Sequence, residues 1–350
     1  MKQIRVAVIG YGVAGQIFHA PLIASNAQYE LAMIVTGNED RAAAARTCYP
    51  NAQVVAETAA VFEEAAGIDL VVIASPHHTH VPYAKMAVAR GMDVVIDKPI
   101  APSSKAAREL MAEATALGRI VTVFQNRRWD GDYLTVKDVV DSGVLGEIFQ
   151  FESAFSWREA FTGAGWKETT PVTEGGGITY DLAPHLMDQA IGLFGAITDL
   201  HGELDSRNTN GVNDDDSFIT MRHESGVRTR LWMSKCHDLT RPRFRVVGSQ
   251  GILESYGLDP QEGQLAAGQL PGFLGYGIHP EFSNVVVDAG DRRESPKLAG
   301  EYQTFYADLA QCIAVRGVPP VAAQDAIAVL ELIERVTRDF GTDSGAPTPA

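Results

Sequence analysis

Asp181 and His185 stand four residues apart in an apolar stretch, Ile178 to Phe194. Ile178, Leu182, Leu186, Met187, Ile191 and Phe194 fall near helical spacing there, so the stretch reads as a helix. On a helix the Asp–His pair projects from one face. A histidine has its pKa near neutrality and suits proton transfer to or from a hydroxyl. Lys98 offers a third group, set between Asp97 and Pro99 at the end of an apolar run, Asp93 to Ile96. A lysine beside a reacting oxygen stabilises negative charge developing there and keeps the proton-free histidine accessible. The plainer alternatives are a local Asp–His hydrogen bond on an exposed face and a lysine paired with a surface acid. The run Glu174-Gly175-Gly176-Gly177 favours the chemical reading, because glycine lets the helix end approach a bound ligand closely. Pro184 is tolerated in a first turn, which predicts a helix start near Thr179 or Tyr180.

A base that takes a hydroxyl proton can serve hydride transfer where a dinucleotide is held beside it, and the first fifteen residues offer a place for one. Ile4 to Ile9 is a short apolar run rich in β-branched residues. Gly10, Gly12 and Gly15 follow at the G-x-G-x-x-G spacing, enclosing Val13 and Ala14, and a helix-compatible stretch runs from Gln16 to Ala24. Gly10 permits a tight turn, Gly12 lets the backbone approach a pyrophosphate, and Gly15 lets the helix pack on the strand. The phosphates then meet the N–H groups of the helix N-terminus. Glycine is common here, 33 of 350 residues, so the spacing alone is weak. Its place between a strand and a helix makes the dinucleotide reading strong.

The second strand candidate, Tyr29 to Val35, ends in Thr36-Gly37-Asn38, with Glu39 and Asp40 a turn late and Arg41 beside them. An acid at that strand tip normally holds the ribose 2′-hydroxyl of NAD. Its absence, with Thr36, Asn38 and Arg41 as donors, favours the 2′-phosphate of NADP. NAD remains the alternative, with Arg41 merely opening a solvated helix. Leu70 to Ala74 is apolar throughout and ends at Ser75-Pro76-His77-His78-Thr79-His80. Ligands bind off the carboxyl ends of parallel strands. Ser75, Pro76, His77 and His80, with Asp97, Lys98 and Asn126 at the next two strand ends, are therefore the further cofactor-binding candidates. No cysteine or carboxylate is spaced to complete a metal site with the three histidines, so no metal is expected.

The elements that position these residues change character along the chain. Helices over Ala42–Arg46, Val81–Arg90 and 103–117 alternate with strands Gln53–Val55 and Ile120–Phe124 and those above, and a turn or two is expected over Val61–Ala66. Gly91 and Gly118 close two of the helices. This alternation argues for an α/β Rossmann domain, a doubly wound parallel sheet, over residues 1–125. From 126 to 340 the pattern becomes α+β. It comprises helix Tyr133–Ser142, strand Glu147–Trp157, loop 158–173, the helix bearing His185, and strands Ser217–Arg222, Val227–Met233, Arg243–Val247 and Gly251–Tyr256. These strands predict an open, largely antiparallel sheet. Helices Tyr302–Arg316 and Ala322–Phe340 follow and can pack back on the first domain, and 341–350 has the composition of a disordered tail. The loop 158–173 and the stretch 207–216 are expected to shape the substrate site.

Hydrophobic residues make up 45% and charged residues 21% of the chain, ordinary globular usage, and a formal charge of −15 argues against a nucleic-acid-binding surface. Cys48, Cys236 and Cys312 form no disulfide framework. The N-terminal apolar run is too short for a signal peptide and no stretch has the length of a membrane span, so a cytoplasmic protein is expected.

Together these segments resemble the Gfo/Idh/MocA family of oxidoreductases over nearly the whole chain. Gly10 to Gly15, Phe18-His19-Ala20-Pro21, Asp97-Lys98-Pro99, Asn126-Arg127-Arg128-Trp129-Asp130 and Tyr180 to Gln189 carry the likeness. Within the family the chain is most similar to the bacterial NADP-linked scyllo-inositol dehydrogenase group. That group shares the Asn-Arg-Arg-Trp-Asp run, a strand from Pro242-Arg243 to Gly248 and a turn from Tyr256 to Glu262. Asp97 stands where the family usually has Glu, His77 where Asn is more usual, and Ala183 where Gly is usual. The resemblance implies Lys98, Asp181 and His185 as the catalytic set, with His185 as acid/base, acting on a polyol or sugar hydroxyl. It also implies that the open sheet face buries against another subunit, giving a homodimer or homotetramer. Two other classes stay open: a non-catalytic dinucleotide-sensing regulator, and a hydrolase or lyase with a tightly held nicotinamide. Retention of the lysine, aspartate and histidine argues against the regulator.

Overall fold

The computed structural model describes residues 2–63, 67–159, 170–172, 175–208, 212–236, 241–279, 282–287 and 291–341. The strands are β1 (Ile4–Ile9), β2 (Tyr29–Val35), β3 (Gln53–Val55), β4 (Leu70–Ile73), β5 (Asp93–Asp97), β6 (Val121–Phe124) and β7 (Ile148–Ser156). They continue with β8 (Ile197–Asp205), β9 (Asp216–His223), β10 (Arg228–Ser234), β11 (Phe244–Gly248), β12 (Gly251–Ser255), β13 (Phe282–Val287) and β14 (Asp291–Pro296). The helices are α1 (Ala20–Ala24), α2 (Glu39–Cys48), α3 (His80–Ala89), α4 (Ser104–Ala116) and α5 (Gly131–Asp141), then α6 (Ile178–Phe194), α7 (Gln261–Ala266), α8 (Gln303–Val315) and α9 (Ala323–Phe340). The chain divides into two compact units, one from 1–129, 260–277 and 300–327, the other from 130–259, 278–299 and 328–350.

In the first unit six strands lie in the order β3-β2-β1-β4-β5-β6. Every neighbouring pair is parallel. This is the doubly wound order expected of a Rossmann sheet. Leu70, Val71, Val72 and Ile73 are fully buried, as a parallel strand covered on both faces requires. The helix expected over Gln16–Ala24 is instead split into a π-helical segment, Ala14–His19, and the short α1. Pro21 has no N–H to give Ile17, so the ladder breaks there. The turn expected over Val61–Ala66 is a 3-10 turn at Thr58–Phe62, with 64–66 outside the described residues. The late stretch 300–327 completes this core. Tyr302, Phe305 and Tyr306 are fully buried, Phe305 meets Phe124 edge-on at 4.9 Å, and the Tyr29 hydroxyl donates to the Tyr306 carbonyl at 2.7 Å.

In the second unit eight strands run β14-β13-β12-β11-β7-β10-β9-β8. All neighbours are antiparallel except β7 with β10. Side chains alternate along β9, with Ser217, Ile219, Met221 and His223 buried on the face that carries α6. The opposite face holds half-buried Phe218 and Trp232, their rings 5.1 Å apart, and Glu152 with Arg230 at 3.2 Å and Arg245 at 4.0 Å. The sequence reading did not anticipate β8, β13, β14 or α7. Pro184 also lies deeper than expected. Because α6 begins at Ile178, the proline falls in its second turn. The start is fixed earlier because an acid from outside the helix caps it, as described below. Most of the loop 158–173 and of the tail 341–350 lies outside the described residues.

Candidate active site

The glycine turn of the first unit has no room for side chains at two positions. Gly10 has φ +98°, and a Cβ there would stand 2.5 Å from the Ala74 carbonyl oxygen. A Cβ at Gly15 would stand 2.0 Å from the Gly10 carbonyl oxygen. Gly12 differs. Its Cβ position is open except for the Arg41 guanidinium, with Nη1 3.8 Å away. An open backbone edge with a cation beside it fits the phosphates of a dinucleotide. Val13, at the tip of the turn, is 66% exposed, and Ala14 starts the π-helical segment.

The three donors expected at the end of β2 divide their work. The Asn38 side-chain oxygen accepts the Arg41 N–H at 2.9 Å and caps α2. The Thr36 hydroxyl oxygen accepts the Asn38 N–H at 3.4 Å. Both oxygens build the turn, and Arg41 carries the positive charge to the glycine turn.

At the ends of β4 and β5, the Ser75 and Thr79 hydroxyls lie 2.5 Å apart, and Pro76 leads into a 3-10 turn at His77–Thr79. The His77 ring meets the His80 ring edge-on at 5.4 Å. His80 itself is fully buried. The Asp97 carboxylate turns back to accept the Lys98 N–H at 2.9 Å, and the Lys98–Pro99 peptide is cis. Asn126, 5% exposed, follows β6. Among the described residues no group of three His, Cys, Asp or Glu side chains is placed to hold a metal ion.

Asp181 and His185 belong to the second unit, one turn apart on α6, with His185 only 5% exposed. The helix has glycine at its N-cap, which offers no side chain to its first N–H groups. Asp214 supplies one. Its carboxylate accepts the Thr179 N–H at 2.9 Å, the Thr179 hydroxyl at 2.5 Å and the Ser217 hydroxyl at 2.7 Å, and its carbonyl accepts the Ile178 N–H at 2.9 Å. Burial pushes the Asp214 carboxyl pKa up, against the opposing pull of those donors. Burial, with Glu334 and Asp214 nearby, pushes the Tyr180 hydroxyl up to about 12. The glycine run before α6 serves this cap. A Cβ at Gly177 would meet the Asp214 carboxylate at 2.1 Å, and one at Gly176 the Thr170 carbonyl at 1.9 Å. The close approach expected there is thus to the protein's own capping loop. The stretch 207–216 shows similar internal work, since Asp215 accepts the N–H groups of Arg207 and Asn208 at 2.8 and 2.7 Å, and 209–211 lie outside the described residues.

Arg243 and Gln261 build a framework within each unit. Arg243 is buried between the Phe155 and Phe244 rings, both 4.0 Å from its guanidinium carbon. It reaches Ser153 at 2.5 Å, Gln189 on α6 at 3.0 Å and Asp132 on α5 at 3.5 Å. In the first unit, Gln261 is fully buried, donates to the Trp129 carbonyl at 3.0 Å and accepts the Tyr302 N–H at 2.7 Å. Glu262 pairs with Arg127 at 3.1 Å.

Residues 4–125 match the family model described as "Oxidoreductase family, NAD-binding Rossmann fold", and residues 133–254 match "GFO/IDH/MocA C-terminal domain". The chain is 39% identical over 334 residues to the uncharacterized oxidoreductase YdgJ of Escherichia coli, covering 95% of this chain and 94% of the relative. It is 28% identical over 336 residues to the scyllo-inositol 2-dehydrogenase (NADP(+)) IolW of Bacillus subtilis, covering 95% and 92%. The solved structure of the YPO2259 protein of Yersinia pestis is similar at a TM-score of 0.89 and 34% identity, covering 99% of this chain and 98% of that one. No helix among the described residues is long and apolar enough to cross a membrane.

Proposed function

The chain belongs to the GFO/IDH/MocA oxidoreductase family, with an NAD-binding Rossmann module, and from that premise we propose that it is an NADP-preferring dehydrogenase of a polyol or sugar. It interconverts a secondary alcohol and a ketone, with an inositol-like ring as the first candidate substrate. The observation that carries this reading is the Asp181–His185 pair, one turn apart on a helix capped by the half-buried Asp214, in a chain that also has a glycine turn fitted to a dinucleotide. The name of the Bacillus subtilis relative supports both the substrate class and the cofactor.

Bound NADP supplies the hydride acceptor. Gly10, Gly12 and Gly15 shape the turn for the pyrophosphate, and Arg41 offers its charge to the 2′-phosphate. His185 takes the hydroxyl proton, and Asp181 on the same helix face holds it for that task. Lys98 stabilises negative charge on the substrate oxygen. A second copy buries the half-exposed sheet face around Phe218 and Trp232, giving a homodimer or homotetramer.

The test is a titration with NADPH and NADH followed by nicotinamide fluorescence, then a screen of inositols and hexoses with NADP followed by nicotinamide absorbance. Tighter NADPH binding and net reduction by a polyol support the reading. Tighter NADH binding overturns the cofactor preference. Product release with no net change in the nicotinamide overturns the dehydrogenase in favour of a hydrolase or lyase.

A further inference from the structure

His80 opens α3 and is fully buried. Its ring spans two strand ends. Nε2 lies 2.9 Å from the Ser75 carbonyl oxygen, and Nδ1 lies 2.9 Å from the Pro99 carbonyl oxygen. The parallel ladder between β4 and β5 runs from Leu70–Asp93 to Ile73–Ile96. Both carbonyls lie past its last rung, so the imidazole joins the two chains where backbone pairing has stopped.

What it joins matters for the site. On one side is the segment against which the glycine turn is packed, since a Cβ at Gly10 would stand 2.5 Å from the Ala74 oxygen and 2.8 Å from the Ser75 nitrogen. On the other side is Lys98, one residue before the carbonyl that His80 holds. We propose that His80 is a positioning residue, a clamp that fixes the Lys98–Pro99 turn relative to the dinucleotide-binding glycine turn. Its importance to catalysis rests on the reading of Lys98 given above, whereas the clamp itself does not.

The ring is suited to the task. Burial lowers its pKa to about 4, so it stays neutral and carries a single N–H for two carbonyl acceptors. The single N–H donates to one carbonyl at a time while the other ring nitrogen stays in direct contact with the second carbonyl, so the ring spaces the two strand ends and hydrogen-bonds them in turn. An acid or a lysine would bring a charge into the same buried space. The two arms can also be removed separately. Asparagine places its amide near the Nδ1 position, toward Pro99, and glutamine extends toward the Nε2 position and Ser75.

Hydrogen exchange read by mass spectrometry on the full-length protein, wild type, His80→Asn and His80→Gln, tests the clamp. His80→Asn should speed exchange about tenfold or more in the peptide over 74–79 and leave 97–101 as in the wild type. His80→Gln should do the reverse. In both variants β1 keeps its protection. Exchange that rises across the whole first unit makes His80 a merely structural residue and overturns the proposal. So does no change in either peptide, or the same peptide loosened in both variants. The same variants assayed with NADP and a polyol that the wild type oxidises should lose kcat with little change in KM, and an unchanged kcat overturns the positioning role. A wild type that binds NADPH and oxidises no polyol overturns the reading of Lys98 and leaves the exchange result standing.

Discussion

Asp214 caps the helix that carries His185 by taking both the N–H and the hydroxyl of Thr179, at 2.9 and 2.5 Å. A helix normally draws its cap from the residue before it, but here that residue is Gly177. Asp214→Ala removes an acceptor from three buried donors. The expected cost is about 2–4 kcal/mol, combining the lost cap with buried groups left without a partner. Urea denaturation measures it, and a loss below about 0.5 kcal/mol, the level of an ordinary surface substitution, would show that the loop does not hold the helix.

Arg243 and Asp132 form a buried pair, with side chains 2% and 0% exposed. Such a pair is costly to break on one side, because the remaining charge is stranded away from water. Arg243→Met should destabilise by about 3–5 kcal/mol, and adding Asp132→Asn should recover a good part of that loss. Additive losses in the double variant would mean that the ion pair is not the source of the cost.

The parallel sheet was legible in the sequence because strands covered on both faces must be apolar throughout, as Leu70 to Ile73 are. The limits of α6 were legible for a similar reason, from apolar spacing between two glycines. The position of Pro184 misled, because the proline rule assumes a locally capped helix and Asp214 lies 30 or so residues away along the chain. β8 was hidden by its neighbours. Gly202 interrupts the apolar alternation, and it is glycine because a Cβ there would stand 2.3 Å from Val336 on α9. The glycine turn announced itself by spacing, but the clamp role of His80 did not. A histidine in a histidine-rich turn gives no sign that both ring nitrogens face carbonyls contributed by separate strand ends.

Burial lowers the pKa of His19 from 6.5 to about 3 and of His80 to about 4. Both native values lie below the unfolded value near 6.5, so the unfolded chain binds more protons as pH falls. The stability tied to neutral rings is therefore complete above about pH 6.5 and is lost progressively as pH drops toward 4 and 3. Between pH 7 and pH 5 each ring accounts for a loss of about 2 kcal/mol. Urea midpoints of wild type and His19→Gln over that range should converge on acidification, since the variant lacks one of the two terms. Parallel curves would show that His19 is not held neutral.

Arg41 lies beside Gly12 with its guanidinium nitrogen 3.8 Å from the open Cβ position. A charged hydrogen bond to a 2′-phosphate contributes about 1.5–3 kcal/mol. Arg41→Ala should therefore weaken NADPH binding by about 10- to 100-fold and leave NADH nearly unchanged. Fluorescence titrations of both nucleotides decide this. Equal weakening would place the guanidinium on the pyrophosphate instead, and no weakening would leave it as a helix-opening residue of α2.

His185 is 5% exposed and shares a helix face with Asp181. If it takes the hydroxyl proton during oxidation, its loss removes a proton-transfer step and not a binding contact to the cofactor. His185→Ala should then lower kcat by about 10²–10⁴ with the NADPH dissociation constant close to that of the wild type. Asp181→Asn should give a smaller loss of the same kind, since it leaves the imidazole in place and removes only the charge beside it. A His185→Ala enzyme with wild-type turnover would exclude the histidine from the chemistry. A variant that loses NADPH binding together with turnover would show instead that the residue supports the fold of the site, and the acid/base role would then have to pass to another group.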